Sequence, residues 1–437
     1  MKHHHNNILS ARALSTIALL VLTITFMPHA TAQTEEEEVE AEDEIVFPES
    51  MDADIDSLLN LFHSKTYLNS EDDCQTRDVN PVFSKEVYID RLFRMPTVME
   101  MPYNEVVQTY IDRYTGRLRR SISFMLGAQN FYMPIFEEAL ATYQLPLELK
   151  YLPIIESALN PKAVSRAGAA GLWQFMLTTG KDYGLEINSL VDERFDPVRS
   201  SYAAARYLKD LYNIFGDWNL VIGAYNCGPQ NIAKAIHRAG GERTPDGKFI
   251  GTTDYWDIYP FLPRETRGYV PAFIAANYVM TYYCEHNICP MRCQLPVKTD
   301  TIVVDTIVNL RQIAEVLNID IDMLRELNPC YRRDIVPGNT RPSPIRMLPA
   351  DALRYIDMQD SIVNYNATQL LPKRSIVEVP VASASRQGNS KARVITVRKG
   401  DSLGAIAKRY DTSVSKLRKL NNIKGNSIRA GQRLKVR

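Results

Sequence analysis

Apolar positions between residues 81 and 290 recur at helical spacing. In "NEVVQTYIDRYTGRLRRSISFML" Val106, Val107, Tyr110, Ile111 and Tyr114 share one face. "MPIFEEALATYQ" is a second amphipathic series, and Pro146 opens a third segment at a position where proline is tolerated. That segment carries apolar residues into Ile154 and Ile155, and Asn160-Pro161 is expected to end it. "SSYAAARYLKDLYNIFG" and "NLVIGAYN" predict two more helices. A mostly helical domain is expected over residues 81–295.

Beyond residue 299 the pattern changes, and the chain repeats itself. "TIVVDTIVNLRQIAEVLNIDIDMLRELNP" aligns without gaps on "VITVRKGDSLGAIAKRYDTSVSKLRKLNN" at a constant offset. Val304 falls on Val397, Leu310 on Leu403, Ile313-Ala314 on Ile406-Ala407, Leu324 on Leu417 and Asn328 on Asn421. Each copy predicts a short strand, two short helices and a closing strand, "IRML" in one and "RLKV" in the other. Two βααβ modules are expected, at 300–349 and 393–437. A linker over 350–392 joins them and ends in the Ser/Gly-rich "ASASRQGNSK".

At 437 residues the chain exceeds one typical domain. Its net charge of zero hides an asymmetry. Residues 33–56 hold twelve acids and no Lys or Arg, which predicts an acidic flexible tether over 33–80. Residues 391–437 hold fourteen Lys or Arg against Asp401 and Asp411, which suits an anionic polymer. The start reads as a secretory signal peptide over 1–32: Lys2 and Arg12, then the apolar run Ala13–Phe26, then "ATA". That run is short for a membrane span, and the mature chain is expected to have no transmembrane segment. No cysteine follows the expected cut until Cys74, so a lipid anchor is not expected. "CEHNICPMRC" sets Cys284, Cys289 and Cys293 near His286, but the spacings fit no zinc pattern. A disulfide with Cys74, Cys227 or Cys330 is the alternative, and its connectivity is not readable.

The chemistry concentrates around "IIESALNPKAVSRAGAAGLWQFM". Glu156 sits among Leu152, Ile154 and Ile155, where desolvation of its ionised form raises its pKa. A general acid that protonates a glycosidic oxygen needs that shift. The plain alternative is a helix-end Glu meeting solvent or an Arg. Ser165, Gln174 and Trp173 follow, separated by small residues that let a backbone approach a ligand closely, or that merely cover a core Trp. "AYNCGP" places Tyr225 and Asn226 at a helix end, and "LPRETRGYVP" spaces Glu265 and Tyr269 one helical turn apart.

Taken in order, "YLPIIESALNP", "AGAAGLWQFM…TG", "DPVRSSYAAARYL", "AYNCGP" and "TDYWDIYPFLPRETRGYVP" resemble a lytic transglycosylase catalytic domain. The two repeats resemble LysM modules. The implied fold is multidomain: a mostly α, goose-type lysozyme-like catalytic domain followed by two small α+β (βααβ) LysM-type modules. The resemblance implies one catalytic carboxylate, Glu156, acting on the bond between N-acetylmuramic acid and N-acetylglucosamine. It implies sugar subsites lined by Ser165, Gln174, Met176, Tyr225, Asn226 and Tyr269, with Glu265 supporting them by hydrogen bonding. Gly400, Asp401, Leu403, Asn421 and Ile423 are the expected glycan-binding residues of the second LysM copy.

The implied partners are peptidoglycan glycan strands, with N-acetylglucosamine units held by LysM. No cofactor, metal or nucleic acid is implied. The implied location is outside the cytoplasm, in the periplasm, at the wall or the outer membrane. Leu177 stands where many relatives carry Pro, and Leu159 where an aromatic is common. The first repeat has Ile307 and Val308 where the second has Gly400 and Asp401, so it is expected to fold as a LysM yet bind glycan weakly or not at all. Two other readings stay open. One is a hydrolytic muramidase with a second acid such as Asp182 or Asp217 as base. The other is a catalytically silent wall-binding protein.

Overall fold

The computed structural model describes residues 45–52, 79–371 except 246, 294 and 297, and 394–436 except 399, 411, 424, 426 and 430. The leader, 33–44 and 53–78 of the tether, and 372–393 of the linker lie outside them.

Helices α1 (Lys85–Arg94), α2 (Glu105–Thr115) and α3 (Arg119–Thr142) open the catalytic domain. The long helical pattern after Asn104 is split at Gly116, whose added Cβ would lie 2.8 Å from the Asp112 carbonyl. In contrast, α3 runs straight through Pro134, so the second amphipathic series is the later half of one 24-residue helix. Next come α4 (Leu152–Ser157), α5 (Leu177–Asp182), α6 (Pro197–Phe215), α7 (Trp218–Cys227) and α8 (Pro229–Arg238). Their ends follow the sequence closely. Asp196 caps α6 by accepting from the amides of Val198 and Arg199, and Asp217 caps α7 through the Leu220 amide. Gly216 and Gly228, both at positive φ, stop these helices.

A small hairpin, β1 (Glu242–Arg243) and β2 (Phe249–Ile250), leads to α9 (Tyr255–Ile258), α10 (Arg264–Arg267) and α11 (Tyr269–Thr281). Every residue of α11 from Tyr269 to Met280 is buried, as expected of a helix apolar on all sides at the centre of a domain. It packs on α2, α4 and α7 and so forms the floor behind the site. No helix among the described residues is long and apolar enough to cross a membrane.

The first repeat contains β3 (Asp300–Val304), β4 (Ile307–Asn309), α12 (Leu310–Leu317), α13 (Ile321–Leu327), β5 (Ile335–Pro337) and β6 (Ser343–Met347). β3 and β6 pair antiparallel from Asp300↔Met347 to Val304↔Ser343. The linker expected from residue 350 begins instead as α14 (Pro349–Asn364), followed by α15 (Ala367–Leu370). Ala352, Tyr355 and Ile362 are buried in the core of the repeat. Buried Gln312 donates to the carbonyls of Ile362, Val363 and Tyr365 and fixes the helix end in place. Residues 350–371 are therefore part of the module.

The second repeat has β7 (Val394–Thr396), α16 (Leu403–Arg409), α17 (Val414–Leu420) and β8 (Arg433–Lys435), with β7 antiparallel to β8. Its core joins Val397, Leu403, Ile406, Leu417 and Leu434. Asn328 and Asn421 do the same work in the two copies. Each accepts from a closing-strand amide (Arg346, Lys435) and donates to that strand and to its own helix.

The first repeat is fused to the catalytic domain. Leu190 and Val191 belong to its apolar core, Val191 bridges Tyr331, and the Arg332 amide donates to the Leu190 carbonyl at 2.7 Å. Arg341 pairs with Glu186 at 2.7 Å and with Glu193, and Arg332 reaches Asp192 at 2.6 Å. The tether also departs from expectation. Residues 45–52 pack on the catalytic domain, with a short 3₁₀ turn at Glu49–Asp52 and Met51 only 3 % exposed.

Candidate active site

Glu156 is the penultimate residue of α4, a six-residue helix with Pro153 in its first turn. Asn160-Pro161 does not end that helix. Ala158 and Leu159 do, at φ 51° and 58°, and both are buried. Two consecutive non-glycine residues in the left-handed region cost on the order of 1 kcal/mol each. The surrounding structure sustains that strain directly beside the proposed acid. Ser157 donates to the carbonyls of Pro153 and Leu172 and ties α4 to the following loop.

Burial among Leu152, Ile154 and Ile155 pushes the Glu156 carboxyl up from its ordinary 4.5 to about 7. Tyr269, at the start of α11, donates its hydroxyl to Glu156 Oε1, which offsets part of that rise. Burial also drives the Tyr269 hydroxyl far above its usual range, so it remains a proton donor. Among the described residues no second carboxylate hydrogen-bonds Glu156 or shifts its titration. Asp217 is occupied as the α7 cap, and Asp182 is exposed at the end of α5.

The loop from Ala163 to Met176 forms one wall. Ser165 Oγ accepts from the Ala169 amide, and the two backbones also pair, so Ser165 closes a tight turn. Gln174, at φ 48°, donates to the carbonyls of Gly171 and Ala163. Met176 is 45 % exposed. The Trp173 indole is fully buried, donates to Ser201 at 2.8 Å and packs edge-on to Phe136. Of its two readings, the core one holds.

On the other side, Tyr225 donates to the Trp173 carbonyl at 2.8 Å, and Asn226 accepts from Thr266 at 2.9 Å. Glu265 does not take the supporting place expected of it. It lies on α10 while Tyr269 begins α11, and its side chain is exposed with no hydrogen bond among the described residues.

The most consequential support of the site is one that sequence reasoning missed. Arg194 donates through Nη1 to the carbonyls of Gly168 and Phe175, at 3.0 and 3.1 Å, and clamps the wall loop. Gly171 is pressed so closely on the Arg194 carbonyl that an added Cβ would lie 1.8 Å from it. Asp192, fully buried, holds the Arg194 guanidinium by two hydrogen bonds and also takes Arg332 of the first repeat. "VDERFDP" shows only an acid two residues before a base, which carries no signal by itself.

His286, considered with the nearby cysteines, has both ring nitrogens engaged, with Asn80 and Tyr278, and burial lowers its pKa to about 4. Cys289 is disulfide-bonded, whereas Cys227, Cys284, Cys293 and Cys330 are free.

In the second repeat, Gly400 turns at φ +93° with open space around it. Asp401 accepts from the Arg398 amide and pairs with Arg409, so it shapes that turn. Leu403 is buried, Ile423 packs on the core and Asn421 is a clip to the closing strand. In the first repeat the aligned turn is the strand β4, paired antiparallel with β5 from Ile307↔Pro337 to Asn309↔Ile335. Replacing Gly-Asp by the β-branched Ile307-Val308 turns an open loop into a ladder. Residues 400–402 form no strand.

Comparison with known proteins agrees with this layout. The family model "Transglycosylase SLT domain" matches residues 133–245. "Lytic transglycosylase MltD, LysM-like domain" matches 298–363, and "LysM domain" matches 395–437. The chain is 30% identical over 349 residues to membrane-bound lytic murein transglycosylase D of Escherichia coli K12, spanning 77% of this chain and 70% of that protein. The chain belongs to the lytic murein transglycosylase D family. The soluble lytic murein transglycosylase of the same organism is 30% identical over 133 residues, 29% of this chain and 19% of that one. The crystal structure of the 70 kDa soluble lytic transglycosylase from Escherichia coli aligns at 25% identity and a TM-score of 0.29, covering 37% of this chain and 26% of that one. Within the family, the match over 298–363 includes most of α14, in keeping with the extended module.

Proposed function

We propose that this peptidoglycan lytic transglycosylase works with Glu156 as its one catalytic carboxylate. The observation that carries the reading is Glu156 itself, its carboxyl raised to about 7 by burial and held by Tyr269, with no second carboxylate acting on it among the described residues. Protonated Glu156 gives its proton to the oxygen bridging N-acetylmuramic acid and N-acetylglucosamine, and that bond breaks. The resulting carboxylate takes the proton from the muramic acid C6 hydroxyl as its oxygen bonds to the anomeric carbon. The product carries a 1,6-anhydro ring, and no water is consumed. The attacking hydroxyl is tethered to the reacting carbon, which supplies a large effective concentration. The substrate's N-acetyl group, on the carbon next to the anomeric centre, is available to assist as in substrate-assisted glycosidases. Met176, Gln174, Ser165, Tyr225 and Asn226 border the sugar subsites, and export to the periplasm fits a wall substrate.

Mass spectrometry of fragments released from purified peptidoglycan tests this reading. Products one water lighter than hydrolysis products, with no reducing end, are expected. Reducing-end products would point to a muramidase and to a base other than Glu156.

LysM retention on the wall is assigned to the second copy, through the turn at Gly400 and N-acetylglucosamine units. The first copy has that turn paired into a ladder and its far loop docked on the catalytic domain. Ending the chain after residue 371 is expected to abolish co-sedimentation with peptidoglycan at moderate salt while leaving cleavage of soluble strands intact. Undiminished sedimentation would assign binding to the first copy.

A further inference from the structure

The acidic segment before the catalytic domain packs beside the residues that flank Glu156 and Tyr269. Tyr110 donates to the Val46 carbonyl at 2.9 Å, and Phe47 packs on the Tyr110 ring with centroids 5.0 Å apart. The Arg113 guanidinium lies 3.7 Å above the Phe47 ring and pairs with Asp52 at 3.0 Å. Ser50 donates to the carbonyl of Ile155, the residue before Glu156. Glu49 reaches Arg166, on the tip of the wall loop, at 3.9 Å. At the other end Val46 presses on Gly268, the residue before Tyr269. A Cβ there would lie 2.6 Å from the Val46 carbonyl and 1.9 Å from the Tyr110 hydroxyl. The segment thus has fixed points beside both members of the Glu156–Tyr269 pair, and its exposed Glu49 side chain extends toward the tip of the 163–176 loop.

We propose that Val46–Asp52 is a strap that closes one end of the glycan trough and so determines where along a strand the enzyme cuts. A strand lying between the 163–176 loop and the Tyr225–Thr266 side meets the strap where it bridges those walls. Only a strand terminus then fits past Glu156, and cleavage proceeds from chain ends. This rests on the transglycosylase reading of Glu156 but asks a separate question of it.

The test compares the intact chain with one lacking residues 33–52, on long uncrosslinked glycan strands, by chromatography and mass spectrometry of early products. The intact chain is expected to release terminal anhydro-disaccharides from the outset while long strands shorten gradually. The strapless chain is expected to give fragments of intermediate length first, with mean strand length falling several-fold before disaccharides accumulate. Because the deletion uncovers Tyr110 and can harm folding, F47S/D52N serves as a second variant, checked by thermal unfolding. A tetrasaccharide, too short to meet the strap, should be cut at rates within twofold of the intact chain by either variant. Identical early product lengths from folded, active variants would overturn the proposal. So would mid-length fragments from the intact chain. Anhydro ends in the products test the transglycosylase reading separately, since strand length and end chemistry are read independently.

Discussion

Glu156→Gln is expected to lower strand cleavage by at least roughly 10⁴-fold, because in the proposed reaction one group supplies both proton transfers and each is worth on the order of 10²–10⁴. The amide neither protonates the bridging oxygen nor accepts the C6 proton. In the wild type, the rate of the chemical step should fall as pH rises through about 7, where the acid ionises. The same substitution is expected to stabilise the fold. The folded-state pKa lies above the unfolded value of 4.5, so the folded chain holds more protons between those pH values and stability declines as pH rises through the window. The span from 4.5 to about 7 corresponds to on the order of 3 kcal/mol lost above pH 7. Gln carries no charge to bury, so the variant's melting temperature should exceed the wild type's at pH 8 and approach it near pH 4. Thermal unfolding at several pH values checks this. A variant no more stable at pH 8 than at pH 4, relative to wild type, would mean that Glu156 is solvated after all. Stability given up at a catalytic group is the usual pattern of an active site.

The parts of this fold that are legible in the sequence are those fixed by local rules. Asp196 and Asp217 announce helix starts, Gly216 and Gly228 announce stops, and the offset repeat exposes two βααβ modules. Glu156 is legible because burial of a lone acid follows from its apolar neighbours. What sequence does not show is set by distant contacts. Ala158 and Leu159 adopt left-handed backbone because α4 must turn against the wall loop, a demand neither residue type advertises. Ala352, Tyr355 and Ile362 are spaced for a helix face, but the Ser/Gly-rich end of the linker drew residues 350–364 into a single flexible reading. Glu265 misleads for a related reason: spacing of four implies a shared face only if one helix continues, and Gly268 separates α10 from α11. The strap misleads through its charge. Twelve acids between 33 and 56 suggest a solvated chain, yet Phe47 and Met51 among them are the residues that anchor it.

Asp192→Ala should be the most damaging change outside the catalytic pair. It leaves Arg194 buried without its counter-charge, and breaking a buried pair from one side costs about 3–5 kcal/mol. Arg194 is also the group that holds the Gly168 and Phe175 carbonyls, so the wall loop should loosen along with the fold. The expected readout is a large drop in melting temperature together with a raised KM for glycan strands. Arg332→Gln is the informative contrast. That side chain is 44 % exposed and meets Asp192 from the first repeat, while the Asp192–Arg194 pair survives its removal. Asp192 is buried but keeps Arg194 as its counter-charge, so losing the half-exposed Arg332 should cost on the order of 1 kcal/mol, loosen the docked repeat slightly and leave KM nearly unchanged. Limited proteolysis separates the two cases: cuts within 163–176 for Asp192→Ala, and near 296–300 for Arg332→Gln. If the two variants behaved alike, Asp192 would be an interface residue only, and the loop would be held by its own backbone turns. If Asp192→Ala alone raised KM, the first repeat would be docked on the same buried carboxylate that positions the substrate wall, which makes it a part of the catalytic body while the second repeat is left to bind the wall.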